Sequence, residues 1–181
     1  MTEPSRRGEP APCPSAAPSR VAIESVQPAV DDGRFAVKRL TGDVVTVSAC
    51  VFADGHDALA CEVRYRSPGG EWRALPMVPG YNDTWYANLQ LEAIGRHSFM
   101  ISGWVDAYGT WLAALRKRVA AGRVEAVDLR QGSELLEAAA APTGTATTEL
   151  RAAARRLAGG APAEALSIAE AVQPLASAVQ E

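Results

Sequence analysis

The chain has 181 residues, of which 48% are hydrophobic and 22% charged, as is typical of a soluble globular protein. This length allows one domain with a core of its own plus a smaller appendage, and it excludes a second domain of ordinary size. A net charge of -3 with both signs interspersed argues against a nucleic-acid or anionic-membrane partner, and no apolar run is long enough to cross a bilayer.

Residues 1–19 predict a disordered tail, because they hold five prolines and lack the apolar stretch of a secretory signal. The three cysteines, Cys13, Cys50 and Cys61, follow no repeating pattern, so we expect a reduced, cytoplasmic chain. Cys50 and Cys61 flank a turn at residues 54–57. Strand alternation turns Cys61 into the core and Cys50 away from it, and we therefore expect no disulfide between them.

Apolar residues at every second position predict a series of short β-strands. The predicted strands span residues 43–52, 59–66, 85–91 and 96–105, with a short strand at 72–77 and weaker candidates at residues 21–26 and 35–40. Turn signals separate them at 67–70 and 79–83. Short strands at this spacing are typical of an antiparallel β-sandwich, so we expect a mainly β fold.

After Tyr108 the apolar period changes from two to about 3.5, which predicts a helix that is capped by Thr110 and ends at Gly122. Three further helices are predicted, at residues 133–140, 147–158 and 162–172, with a loop at 142–146 and an interruption at Pro174. Their apolar residues are mostly alanine, so we expect a thin core that packs on another part of the protein. The expected domains are residues 1–19 (tail), 20–108 (sandwich) and 109–181 (helices, incomplete).

Few residues of this chain suggest chemistry. Asp54, His56 and Asp57 lie in one tight turn, where three side chains do not easily converge on a metal ion, so an ordinary turn is favoured. His97 shares the face of a buried strand and is expected to be a partly buried structural histidine, and residues 31–33 predict a turn. Because nucleophile, phosphate-loop and metal-binding motifs are missing, we predict no catalytic residue, no metal and no cofactor.

Four aromatic residues are candidates for carbohydrate binding: Tyr86, Trp104, Tyr108 and Trp111. They fall near one predicted corner, and sugar rings stack well on exposed aromatic faces. Packing in the core or between domains is nevertheless the favoured role for these rings.

The segment of residues 28–66 contains D-G-R-F, K-R, D-G-H-D and Y-R in that order, and W-V-D and G-T-W follow it. Over about residues 20–140 the chain resembles the N-terminal domain of bacterial maltose-1-phosphate maltosyltransferases, members of the α-amylase superfamily in glycoside hydrolase family thirteen. The resemblance implies an immunoglobulin-like sandwich with a helical part, which packs against a catalytic (β/α)8 barrel and contributes to a homodimer.

The same resemblance implies that the parent enzyme moves maltosyl units from maltose 1-phosphate to α-1,4-glucan with retention of configuration. Its catalytic carboxylates belong to the barrel, so no catalytic residue is carried over to this chain. Because the last residues still have a helical pattern, we expect the chain to be a fragment.

Two hypotheses follow from these observations. In the first, the chain is an accessory domain that is inactive alone, and Asp54, His56, Asp57 and Asp106 hold it against its barrel or its dimer mate. In the second, it is a free-standing module that binds α-glucan through its aromatic residues. Exposure of those rings on one open face would favour the second hypothesis, and burial under the helices would favour the first.

Overall fold

The computed structural model describes residues 20–140 and 145–177. Seven β-strands precede four α-helices in this part of the chain. The strands are β1 (Val21–Gln27), β2 (Val44–Ala53), β3 (Leu59–Arg66), β4 (Arg73–Pro76), β5 (Val78–Pro79), β6 (Thr84–Gln90) and β7 (Ser98–Val105). The helices are α1 (Ala107–Ala120), α2 (Ala126–Ala139), α3 (Thr145–Gly159) and α4 (Pro162–Ala176). The predicted tail at 1–19 and most of the predicted loop at 142–146 lie outside the described residues.

The strands form two antiparallel sheets, with the orders β1-β2-β6-β5 and β4-β3-β7. We call them together the two-sheet unit (residues 20–105). Alternate residues of both sheets meet in one core, in which Val47, Val51 and Val63 are fully buried. The mainly β prediction and the predicted strands are therefore confirmed, with one exception in the segment between β1 and β2.

The predicted strand at residues 35–40 is wrong. The connecting segment (residues 28–43) is irregular and has only one isolated bridge, between Val30 and Phe35. Asp31 and Asp32 take a left-handed φ of 51°, and the Arg34 N–H donates to the Asp31 carbonyl at 2.9 Å, which is the turn expected at 31–33. The apolar residues that follow this turn have no partner strand, so their alternation produces no sheet.

Cys50 and Cys61 are both free, as expected. The chain crosses from one sheet to the other between β2 and β3, so the two cysteines belong to different sheets. Cys61 is buried, and its Sγ lies 3.4 Å from the Sδ of Met77. Burial, with a smaller contribution from the charge of Glu62, raises the pKa of the Cys61 thiol to about 11.

The four helices pack on one another around a hydrophobic cluster that is separate from that of the sheets. We call them the helical unit (residues 107–140 and 145–177). The core is larger than expected, because α1 adds the large buried side chains Tyr108, Trp111, Leu112 and Leu115. The expected packing of the helices on another part of the protein stays a prediction. Small side chains such as Ala154 and Ala165 are fully buried where the helices approach each other.

Three helix boundaries differ from the predicted ones for local reasons. α1 begins at Ala107, three residues before the predicted cap Thr110, because Asp106 caps it. α2 begins at Ala126, seven residues before the predicted start, because Glu125 and Asp128 form a capping box. α4 continues through Pro174 to Ala176, although this proline has no N–H to donate to the carbonyl four residues earlier.

Gly132 allows α2 to lie against the indole ring of Trp111. A Cβ atom at Gly132 would overlap the six-membered ring of that indole, whereas a Cβ at Gly159 would meet open space. Gly132 lies in the middle of α2 and Gly159 is the last residue of α3, so Gly159 shows the effect of an added methyl group that meets no neighbour.

We expect Gly132→Ala to destabilise the helical unit, because overpacking costs about 1–3 kcal/mol and alanine returns at most about 1 kcal/mol of helix propensity. Gly159→Ala is the matched control and should cause no loss of stability. Urea unfolding followed by circular dichroism measures both variants. Equal free energies of unfolding for the two variants would show that the close contact between position 132 and the Trp111 ring does not affect stability.

Candidate functional site at the junction of the sheets and the helices

Asp106 joins the two units of the chain. It follows β7 directly and is the N-cap of α1, and its side chain is buried. Its backbone N–H donates to the carbonyl of Ala58 at 2.7 Å, and its Oδ1 accepts from the N–H of Gly109 at 2.7 Å. Gly109 leaves the room that this carboxylate occupies, since a Cβ there would overlap it. The last residue of W-V-D thus ends a strand and starts a helix.

Thr110 adds a second connection between the sheets and the helices. Its hydroxyl accepts from the Ala58 N–H at 2.8 Å and donates to the Asp106 carbonyl at 2.8 Å. Both polar groups of the Ala58 backbone are therefore paired with the start of α1. The D-G-H-D turn and the corner from W-V-D to G-T-W, which the sequence singled out separately, meet here.

The predicted interface residues divide into two kinds. Asp106 is buried in the junction, and Asp57 forms an ion pair of 3.0 Å with Arg20 at the start of β1. Asp54 and His56 lie exposed on the turn. No group of three histidine, cysteine, aspartate or glutamate side chains is placed to hold a metal ion in residues 20–140 and 145–177.

Two of the predicted sugar-binding aromatic rings are inside the helical unit. Tyr108 and Trp111 are each 4% exposed, with their ring centroids 5.1 Å apart. The Tyr108 hydroxyl donates to the Ala169 carbonyl at 3.0 Å, and the Trp111 indole N–H donates to the Asp128 carbonyl at 2.8 Å. Their polar atoms are thus paired within the protein and their faces are covered, which favours the first hypothesis.

Tyr86 and Trp104 lie apart from each other and from the helical core. Tyr86 is on the outer face of one sheet, opposite Ser48 and Val78 in the strand register. Trp104 pairs with Ala60 on the outer face of the other sheet and is half-buried. The four aromatic residues therefore do not share one open face. A role of Tyr86 or Trp104 in sugar binding stays a prediction.

His97 is half-buried just before β7, and its Nε2 lies 2.9 Å from the Ala93 carbonyl, so the expected structural role fits its position. It lines a cleft of about 1030 Å³ at the end of the two-sheet unit where β1 ends and β7 begins. Sequence patterns did not reveal this cleft, because the unpaired segment at 28–43 was expected to be partly strand.

Arg118 and Asp128 form a further contact that the sequence did not reveal. Arg118, in the last turn of α1, lies 2.6 Å from Oδ1 of the buried Asp128, and Oδ2 of Asp128 accepts from the N–H of Glu125. The carboxylate therefore caps α2 while it binds α1. The turn between these helices is closed by Gly122, which takes a φ of 64° as the predicted end of α1 requires.

Truncation of the Asp106 side chain should weaken the junction. We expect Asp106→Ala to lower the free energy of unfolding by about 1–2 kcal/mol, the usual cost of losing a helix N-cap. Asp106→Asn keeps an acceptor for the Gly109 N–H and should lose clearly less. Urea unfolding measures both variants, and an equal loss in the two would show that the hydrogen bond to Gly109 contributes nothing.

Tyr108 should make the stability of the chain depend on alkaline pH. Burial, followed by the charge of Asp106, raises the pKa of its phenol above the ordinary value of 10.0. The folded state thus keeps a proton that the unfolded state releases, and stability falls as the pH rises above about 10. The free energy of unfolding of each protein is measured between pH 8 and 11. Above about pH 10 it should fall more steeply in the chain with Tyr108 than in Tyr108→Phe, by up to about 1.4 kcal/mol per pH unit. Parallel pH profiles of the two proteins would contradict this.

The sequence model for alpha-1,4-glucan:maltose-1-phosphate maltosyltransferase, domain N/S, matches residues 19–181. The likeness therefore includes the helices beyond residue 140, where it was expected to end. No helix in the part of the chain that the structure describes is long and apolar enough to cross a membrane.

Curated relatives carry the same name. The maltosyltransferase of Chlorobaculum tepidum is 42% identical over 123 residues, which are 67% of this chain and 18% of the relative. That of Myxococcus xanthus is 40% identical over 131 residues, 70% of this chain and 20% of the relative. Maltosyltransferase 2 of Streptomyces coelicolor is 34% identical over 165 residues, 88% of this chain and 25% of the relative. The chain thus spans between about a sixth and a quarter of these relatives, and it belongs to the alpha-1,4-glucan:maltose-1-phosphate maltosyltransferase family as its N/S domain.

Proposed function

We propose that this chain works as the N-terminal accessory and interface domain of a maltosyltransferase and has no catalytic activity alone. The reaction of the parent enzyme is the transfer of maltosyl units from maltose 1-phosphate to an α-1,4-glucan. The observation that carries the proposal is the extent of the match. It covers residues 19–181 of this chain but only 18–25% of the three relatives described above. The rest of such an enzyme contains the catalytic (β/α)8 barrel.

The chain is organised as two units that serve this role. The two-sheet unit is an immunoglobulin-like sandwich, the helical unit is appended to it, and the boundary lies at Asp106 rather than after Tyr108. Two separate hydrophobic clusters support this division, since Tyr108 packs with the helices. The compartment is the cytoplasm, and the enzyme is a homodimer.

The exposed part of the D-G-H-D turn makes contact with the barrel or with the second subunit. Asp54 and His56 have exposed side chains, so they are free to bind another surface. Asp57 holds the turn at the surface through its ion pair with Arg20, and the buried Asp106 holds it through the Ala58 backbone. Interface charges of this kind set orientation more than affinity.

The inactivity of the isolated chain is tested by phosphate release from maltose 1-phosphate in the presence of maltohexaose. We expect no release above the blank from the 181-residue chain, because the catalytic carboxylates are supplied by the barrel. The full-length Chlorobaculum tepidum relative, assayed beside it, is the positive control. Release that rises in proportion to the concentration of this chain would overturn the proposal.

Isothermal titration with maltohexaose tests the glucan-binding alternative. Burial of Tyr108 and Trp111 leaves Trp104 and Tyr86 as the remaining predicted contacts, and a single half-exposed ring gives little stacking area. We expect no heat of binding at millimolar sugar. Binding that Trp104→Ala abolishes and Tyr81→Ala preserves would instead support a carbohydrate-binding module.

A further inference from the structure

The cleft at the open end of the two-sheet unit lacks a cover over part of its apolar lining. Its floor is made by inward-facing residues of both sheets, among them Val47, Leu89 and Ile101. Its rim is the connecting segment (residues 28–43) on one side and residues 93–98 on the other. The junction with the helices is at the opposite end of the strands, so the helical unit does not cover this cleft.

Large apolar side chains are exposed around this cleft. Phe35 is 56% exposed, Leu40 is 75% exposed and Ile94 is 90% exposed, and all three line the cleft. The described residues of the helical unit include just one exposed large apolar side chain, Val127. A concentration of exposed apolar residues on one part of a protein marks an interaction surface.

The residues that line the cleft carry a net positive charge. The charged residues of its lining are Arg34, Arg39, Arg96 and Asp32, although the whole chain has a net charge of -3. Arg34 lies over the Phe35 ring, 5.5 Å from its centroid. Arg39 and Arg96 make no ion pair with any residue in 20–140 or 145–177. A matching surface therefore has an apolar centre and carboxylates at its edge.

A second copy of this chain does not match that description. In a two-fold symmetric contact the same patch is present on both sides, so two linings that each hold three arginines and one aspartate would face each other. Like charges brought together in this way oppose association. A different surface, which carries the opposite charge, fits the cleft better.

We propose that the cleft is the docking site for an apolar, acid-rimmed surface of the catalytic part of the maltosyltransferase polypeptide. This rests on the proposed function, and it adds which face of the domain makes the contact. The relatives from Chlorobaculum tepidum and Myxococcus xanthus have about four fifths of their length outside the matched segment, which is ample chain to supply such a surface. The apolar side chains provide the contact area and the free arginines set its orientation.

The test compares thiol labelling in two proteins, each carrying Phe35→Cys. One is the 181-residue chain. The other is a chimera in which this chain replaces the matched segment of the Chlorobaculum tepidum enzyme. Labelling with iodoacetamide is read at the substituted position by peptide mass spectrometry. We expect the labelling rate to fall at least about tenfold in the chimera, because the docked surface must open before reagent reaches the thiol. Tyr81→Cys, at a site 94% exposed and outside the cleft, is the matched control and should label at the same rate in both.

A charge reversal tests the role of the arginines. Addition of Arg39→Glu to the chimera should restore labelling at Phe35→Cys severalfold, whereas Arg151→Glu, exposed on α3, should not change it. Light scattering gives the mass of each protein. Protection that disappears when the chimera is diluted to a monomer would assign the cleft to a second copy and overturn the proposal.

The outcomes separate the two proposals. An active chimera with equal labelling in both proteins overturns the docking site but leaves the accessory-domain function intact. A chimera that neither folds nor transfers maltosyl units counts against both. Protection of the cleft in an active chimera supports both.

Discussion

The arrangement of this chain depends on two hydrogen bonds of one residue. The Asp106 N–H ends the second sheet at Ala58, and its carboxylate caps the first turn of α1. One bond attaches Asp106 to the backbone of Ala58, and the other attaches it to the backbone of Gly109 in α1. Asp106 therefore determines the direction of α1 relative to the sheets. Tyr108 and Trp111 then lie on the side of α1 that the other helices cover. Asp106, Tyr108 and Trp111 of this corner are therefore held by contacts within the chain.

Strand positions could be predicted from the sequence because a buried face repeats every second residue, and that period is local. The start of α2 could not, since its capping box uses Glu125 and Asp128 in place of the usual serine or threonine. Residues 35–40 have the alternation of a strand but no partner to pair with. The four aromatic residues do not share one face, because the backbone changes period at Asp106 and so separates Trp104 from Trp111, which are only seven positions apart.

The two units differ in how completely they cover their apolar residues. The helical unit buries leucines such as Leu112 and Leu136 fully and pairs the polar atoms of its buried rings. The two-sheet unit closes well where it meets the helices and poorly at the other end, where Leu40 and Ile94 are exposed. Apolar side chains are expected to be exposed at one end of a domain when another part of the enzyme covers that end.

The order of elements along the chain also has a consequence for synthesis. The sheets depend on distant pairs, such as Thr46 with Asn88, 42 positions away, and distant pairing is slow because a long loop must close first. Within residues 20–140 and 145–177 every strand precedes every helix, so these seven strands are synthesised before α1 begins. The slow sheets thus gain time to assemble while the quickly folding helices are still being made. In a circularly permuted chain that began with the helices, the sheets would not have this extra time to form during synthesis.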